Sequence, residues 1–174
     1  MLLIRKLALA GLFTALSIVL DIFFKQILPL DWVGFPYYAL PIIVGSIVLG
    51  PILGGTMGLV SDVVGFFLFP LGSFNALFSL SAIMWGVIPG LLVKLKTNVW
   101  WLLLVIIITH TLATLSNSVA LWILFSFEAA VASLPLRIML LPVNALVLTF
   151  LVYHINRRME GIFKDLLSTR YLKA

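Results

Sequence analysis

The sequence predicts an all-α membrane protein with six transmembrane helices, and three observations carry that prediction. Of the 174 residues, 63% are hydrophobic and only 10% are charged, too few charged side chains to cover a soluble domain. Six apolar segments approach or exceed the length of about 20 residues that crosses a bilayer. The basic residues also cluster on alternate connections between these segments. Residues 1–174 are therefore expected to form a single integral membrane domain.

The six predicted spans follow one another with short connections, at residues 7–28, 36–49, 51–69, 76–93, 99–127 and 134–156. Only Gly50-Pro51 divides the second from the third. Proline suits the first turn of a new helix, because its missing N–H has no intrahelical partner there. A single broken helix at this point would give five spans instead. The first apolar run is followed by no small-residue cleavage site, so we interpret it as an uncleaved span rather than a signal peptide.

The distribution of Lys and Arg predicts that both termini lie in the cytoplasm. With six spans, nine of the eleven basic residues fall on the inner side, as the positive-inside rule requires. Lys25 and Arg137 are the two that remain in the outer half. Five spans would scatter these charges over both sides of the membrane, so the charge bias favours six.

The same composition excludes several classes of function. Sparse basic residues divided among loops form no phosphate-tracking stripe, so no nucleic-acid partner is expected despite the net charge of +5. The absence of Cys excludes a disulfide scaffold, a zinc ribbon and a cysteine nucleophile. No segment matches a Walker A loop or the common hydrolase motifs. Two distant His residues do not supply a metal site, so no metal is expected.

Small residues recur at four-residue spacing in two of the spans. Gly50, Gly54 and Gly58 share one face of the third span, where close packing inside the bundle is the favoured interpretation. Gly11 and Ala15 form the same pattern in the inner half of the first span. Internal packing and docking of a partner helix both remain open for this second pair.

Polar side chains within spans are the candidate functional residues, because placing them in a bilayer is costly. His110, Thr114 and Asn117 follow helical spacing and form one stripe toward the bundle interior, for which interhelical hydrogen bonding is favoured. Arg137 and Asn144 lie seven residues apart and share a face of the last span. The guanidinium suits a carboxylate ligand, while an Arg that snorkels to the headgroups is the alternative.

Two further residues have both a structural and a functional interpretation. Asp62 either makes a structural hydrogen bond, for example to Asn117 or Ser118, or serves a ligand or a gate. Trp85 either packs in the core or holds a flat heterocycle. Most of the polar groups lie in the outer halves of their spans. This arrangement predicts a pocket that is open outward and closed inward, as in a capture subunit, rather than a channel or a proton-driven carrier.

Several motifs resemble the S components of energy-coupling factor (ECF) vitamin transporters, and the resemblance covers nearly the whole chain. The motifs are Gly50-Pro51-x-x-Gly54-x-x-x-Gly58-x-x-x-Asp62-x-x-Gly65, Pro70-x-Gly72-x-Phe74 and Gly86-x-x-Pro89-Gly90-Leu91. The pair Gly11-x-x-x-Ala15 stands where the family usually has Ala-x-x-x-Ala. The six spans and the inward-facing basic loops agree with this family.

The resemblance implies that the chain is one subunit of a transporter in a bacterial plasma membrane. An S component binds one vitamin from outside and associates with a transmembrane coupling protein and two cytoplasmic ATPases, so it needs no ATPase or cofactor of its own. Gly11 and Ala15 would then contact the coupling protein. The loops 29–35 and 70–75 would gate the pocket, with the candidate gating residues Asp31, Trp32, Gly72, Ser73, Phe74 and Asn75.

The last span resembles that of the folate-specific S components, in the pattern Arg137-x-x-x-x-Pro-x-Asn144. This resemblance implies that Arg137 and Lys25 serve the two carboxylates of folate, Asn144 the pterin edge and Trp85 the ring face. Asn117, from the polar stripe, completes the expected substrate-binding residues.

Other functions remain open at this point. The outer turn lacks the Phe-Pro-Gly-Phe stretch usual in the folate-specific members, so pantothenate and a queuosine precursor are alternative substrates. A six-span membrane enzyme using Asp62 and His110 is a less favoured alternative, because no second catalytic carboxylate or metal cluster accompanies them. A structural subunit without a ligand is the third possibility.

Overall fold

The computed structural model describes residues 2–27, 35–70, 74–94, 97–159 and 161, and within these ranges it contains helices and no strand. The helices are α1 (Leu2–Ile27), α2 (Ala39–Leu49), α3 (Pro51–Leu68), α4 (Ala76–Leu92), α5 (Val99–Leu124) and α6 (Phe127–Met159). A 3₁₀ turn, Pro36–Tyr38, leads directly into α2. The all-α prediction is confirmed, and one helix coincides with each predicted segment.

Four of these helices, α1, α3, α5 and α6, are long and apolar enough to cross a membrane. The remaining two are apolar but shorter, with 11 residues in α2 and 17 in α4. At about 1.5 Å per residue, α2 rises only about 16 Å, roughly half the thickness of the hydrocarbon core. The chain is thus a helical, multi-pass membrane protein in which two helices are shorter than a full span.

The shortest helix, α2, forms the centre of the bundle. Every residue from Pro41 to Leu49 is buried, and α2 packs against α1, α3, α4 and α6. A helix that is apolar on all sides is stable only when other elements surround it. The outer helices instead expose rows of large apolar side chains, such as Leu12 and Leu16 of α1 and Ile138 and Met139 of α6. These rows are suited to contact with lipid acyl chains.

The predicted boundary between the second and third segments is confirmed at Gly50-Pro51. Gly50 has φ 102° and ψ 171°, a conformation that side chains with a Cβ rarely adopt, and it ends α2. Pro51 then begins α3 without losing an intrahelical hydrogen bond. The chain therefore reverses here between two separate helices, rather than continuing as one broken span.

The glycines of α3 pack inside the bundle, as predicted. A Cβ at Gly54 would overlap the carbonyl oxygen of Gly86, and a Cβ at Gly58 would overlap that of Ala82. Both contacts are with the backbone of α4, the helix with which α3 shares its most extensive interface. Small side chains thus allow the α3 and α4 backbones to approach each other closely.

The last helix begins at Phe127, seven residues before the predicted start at 134, and α5 ends at Leu124 rather than at 127. Ser126 explains this boundary, because its hydroxyl accepts a hydrogen bond from the Ala129 backbone N–H at 3.2 Å. The helix then continues through Pro135 and Pro142. Arg137 is consequently ten residues, or about 15 Å, from the start of α6. In the predicted span, which starts at 134, it lay only about one turn from the start.

Candidate functional site

Two adjoining cavities lie toward one end of the helical bundle. At this end α1, α3 and α5 terminate, and α4 and α6 begin. The deep cavity has a volume of about 80 Å³ and reaches His110, which lies 14 residues before the end of α5. The shallow cavity, of about 180 Å³, reaches Lys25, two residues before the end of α1. Tyr38 and Asn117 line both cavities and form the partition between them.

The deep cavity is built mainly from α5, with contributions from α4, α6 and the 3₁₀ turn. Its walls are Phe35, Pro36, Tyr38, Trp85, His110, Ala113, Thr114, Asn117 and Arg137. The predicted polar stripe of α5 does face the bundle interior, because all three of its members are among these residues. The Thr114 hydroxyl lies 3.3 Å from His110 Nδ1, and the Trp85 ring stands edge-on to the imidazole with centroids 5.5 Å apart.

Three buried polar atoms on the walls of the deep cavity have no hydrogen-bond partner in the described part of the chain. They are His110 Nε2, Asn117 Oδ1 and Arg137 Nε. Leaving a buried polar group unpaired costs roughly 1–3 kcal/mol, so folded proteins rarely keep several together without a ligand or water. The deep cavity therefore has the unmet hydrogen-bonding capacity expected of a binding site.

The shallow cavity carries a different set of charges. Lys25 and Asp21, one turn apart on α1, form an ion pair at 2.5 Å. Asp62 of α3 accepts a hydrogen bond from the Ser79 hydroxyl of α4 at 2.6 Å. Both carboxylates line the cavity together with Lys25, Tyr38, Ser61, Phe78, Ser81 and Asn117. This cavity thus contains two carboxylates and one ammonium group, and the ammonium already has a partner.

The structure places four of the five predicted binding residues at these cavities. Trp85, Asn117 and Arg137 line the deep cavity, and Lys25 lines the shallow one. Asn144 lies outside both linings and is fully buried, where its Oδ1 accepts a hydrogen bond from the Tyr37 hydroxyl at 3.3 Å. In this arrangement Asn144 connects α6 to the 3₁₀ turn.

Two of the candidate gating residues are described, and both have local partners. Asn75 caps α4, accepting a hydrogen bond from the Leu77 backbone N–H at 2.9 Å. Phe74 is exposed, and its ring lies 5.3 Å from Phe66 and 5.9 Å from Phe67. The other four candidates, Asp31, Trp32, Gly72 and Ser73, lie outside the described residues.

The cavities also include residues that the sequence had not indicated as binding residues. Asp21 is four residues before Lys25, a spacing that could have predicted their ion pair. Tyr38 carries no such signal, because its position depends on the 3₁₀ turn. Asp62 is bonded to Ser79, and not to the expected Asn117 or Ser118, because the glycine contacts bring α3 against α4.

The Gly11 and Ala15 pair lies on the exposed side of α1. Both residues are exposed, and a Cβ at Gly11 would meet nothing within 4 Å. The neighbouring Leu12 and Leu16 are also exposed, at 55% and 46%. This face therefore makes no close contact with the described helices of its own chain.

The fold and the site together define a multi-pass membrane protein with two small cavities among its helices, lined by both polar and apolar side chains. Residues 5–163 match the family model of the ECF transporter substrate-specific component, and the chain belongs to this family. The predicted family is confirmed. The family is one of transporter components, and with its long apolar helices the chain is a multi-pass protein of the bacterial plasma membrane.

One curated relative is the "Folate transporter FolT" of Clostridium novyi (strain NT). It is 35% identical over 83 residues, which cover 45% of this chain and 47% of the relative. The match thus spans about half the length of this curated relative. No solved structure matches the chain.

Proposed function

We propose that this chain is the folate-binding S component of an ECF transporter, which captures folate from outside and delivers it inward. The single observation that carries the proposal is the set of unpaired polar atoms on the walls of the deep cavity. The likeness to a folate transporter supports folate over other vitamins. Pantothenate and a queuosine precursor are the alternative substrates.

The proposal includes the arrangement of the subunit in the membrane and its partners. The chain forms one domain over residues 1–174, with six spans and both termini in the cytoplasm. It associates with a coupling protein and two ATPases, which hydrolyse ATP on its behalf, and it holds no cofactor itself. Across the described residues, no three His, Cys, Asp or Glu side chains are placed to bind a metal ion.

Binding of folate by the purified protein tests the proposal. We expect binding in detergent without ATP, measured by isothermal calorimetry, and a loss of about 2 kcal/mol or more for Arg137→Ala, since this guanidinium is a wall of the deep cavity. Arg157→Ala is the matched control, because Arg157 is exposed and donates to the Tyr153 hydroxyl. A wild type that binds pantothenate or a queuosine precursor but not folate would contradict the substrate assignment.

A further inference from the structure

His110 is a polar residue of the deep cavity that the predicted binding set does not include. It is 5% exposed, and its ring is held from two sides, by the Thr114 hydroxyl at Nδ1 and by the edge-on Trp85. These contacts fix the orientation of the ring. They leave Nε2 as the ring nitrogen without a partner among the described residues.

The orientation of the Thr114 hydroxyl determines what Nε2 can do. A neutral imidazole carries one ring proton, and the nitrogen that accepts a hydrogen bond is the one without it. The Thr114 hydroxyl lies 3.3 Å from Nδ1 and can either donate to it or accept from it. Nε2 is a donor in the first case and an acceptor in the second, and in both cases it has the capacity for one hydrogen bond to a ligand.

The unpaired atoms of the deep cavity therefore offer a donor at Arg137 Nε, an acceptor at Asn117 Oδ1 and one further hydrogen-bonding position at His110 Nε2. His110 and Asn117 lie seven residues, or about 10 Å, apart along α5. They would therefore contact different parts of a ligand, with His110 at the deep end.

We propose that His110 is a ligand-contacting residue whose Nε2 hydrogen-bonds to a polar atom of the ligand at the deep end of the cavity. This inference rests on the proposed function, and it adds His110 to the binding residues of the deep cavity. Its basis is a buried and oriented imidazole whose Nε2 is unpaired among the described residues.

Isosteric variants of His110 test this role. His110→Phe keeps a ring against Trp85 but removes the hydrogen-bonding nitrogen, and we expect it to weaken folate binding about tenfold or more. His110→Gln restores a hydrogen-bonding group and should return the affinity to within about threefold of wild type. The control is His154→Phe, because His154 is exposed on α6 and bonds to the Phe150 carbonyl of its own helix.

Folate fragments show which part of the ligand His110 contacts. Of a methylpterin and p-aminobenzoylglutamate, the fragment that His110 contacts should lose affinity in His110→Phe by the same factor as folate. The other fragment should be insensitive to the substitution. If neither fragment nor folate depends on His110, the inference is overturned.

A second variant covers the case in which His110→Phe does not fold. Thr114→Val removes the hydroxyl that holds Nδ1 while keeping the branched shape, and it should weaken folate binding about threefold to tenfold. Unchanged affinity in a folded His110→Phe or Thr114→Val protein overturns the inference alone. Absence of folate binding by the wild type overturns the proposed function, and the inference with it.

Discussion

At the scale of single residues, Lys25 and Arg137 are the two basic side chains that the sequence placed in the outer half of the membrane. The structure separates them into different cavities. Lys25 lies at the shallow one, paired with Asp21, and Arg137 at the deep one, with an unpaired Nε. A ligand that reaches both cavities would therefore meet the two residues at different parts, and in our proposal Lys25 serves its charged tail.

The role of Lys25 leads to a prediction that separates the two ends of the ligand. Lys25→Met keeps most of the apolar stem but removes the ammonium group. We expect it to weaken folate binding about threefold to tenfold, as the loss of a partly exposed charge partner does. A methylpterin, which has no carboxylate, should bind with unchanged affinity in the same calorimetric assay. Equal losses for both ligands would contradict the assignment of Lys25 to the tail.

The glycines of α3 give a prediction about stability. Gly58→Ala places a Cβ against the Ala82 carbonyl and forces α3 and α4 apart, so we expect a loss of about 1–3 kcal/mol. Gly11→Ala is the matched control, since a Cβ there meets nothing within 4 Å. Thermal unfolding in detergent should show a lower Tm for the first variant only. Equal Tm values would mean that α3 and α4 do not depend on this close approach.

How much of the site could be predicted from the sequence depends on whether a residue's position follows from its own helix. His110, Thr114 and Asn117 share a face because of helical periodicity, so their common stripe was predictable. The partner of Asp62 was not, because the Ser79 contact depends on how α3 and α4 slide against each other. Asn144 was expected beside Arg137 because helical spacing puts both on one face. In the structure, Asn144 instead accepts a hydrogen bond from Tyr37 of the 3₁₀ turn, a contact that helical spacing cannot predict.

At the scale of whole elements, α1 has one face exposed to its surroundings and another packed against the bundle. The face carrying Gly11 and Ala15 is exposed, while Phe13, Thr14 and Ser17 are buried toward the bundle. An apolar face with small residues allows close approach of another helix in the bilayer. We therefore retain it as the proposed contact for the coupling protein.

Bulky substitutions on this face test that contact. Gly11→Trp and Ala15→Trp should abolish co-purification with the coupling protein and the ATPases, because the indole holds the partner helix away. Folate binding should be unchanged, since neither residue lines a cavity. Met139→Trp, at a 74% exposed position on α6, is the control for a bulky residue facing lipid. Normal complex formation by both α1 variants would contradict the proposal that the Gly11 and Ala15 face contacts the coupling protein.

The fold could be predicted better at helix interiors than at helix ends. Each apolar segment became a helix, because a long apolar segment in a bilayer must satisfy its backbone N–H and C=O groups internally, as a helix does. The start of α6 was predicted at 134, seven residues too late, whereas the Ser126 cap sets the actual boundary. The central position of α2 also lay beyond prediction, because it depends on how the other helices assemble around it.

At the scale of the whole molecule, the absence of Cys makes the proposed orientation directly testable. A single Cys can be introduced at Phe74 or at Lys94, which are exposed near opposite ends of α4. In intact cells, a membrane-impermeant maleimide should label Phe74→Cys, and Lys94→Cys only after permeabilisation. The reverse labelling pattern would contradict a cytoplasmic location for the loop that contains Lys94, and with it the proposed six-span orientation.

The two cavities are small for a vitamin. Their volumes of about 80 and 180 Å³ together fall below the roughly 300–1,000 Å³ of typical ligand pockets. A ligand that reaches from Lys25 to His110 would extend past Tyr38 and Asn117, which line both cavities. We expect these two side chains to move apart when a complete folate binds, so that the cavities join.

The backbone of Tyr38 is fastened to α1. The Ser17 hydroxyl donates to the Tyr38 carbonyl oxygen at 2.8 Å, and Ser17 is only two residues from Ala15 on the opposite face of the same helix. A tilt of α1 against its neighbours must therefore either carry Tyr38 with it or break this hydrogen bond. In the proposed complex, α1 would therefore contact the coupling protein on one face and hold Tyr38, a wall of both cavities, through its other face, so that a movement of the partner could be transmitted to the cavities.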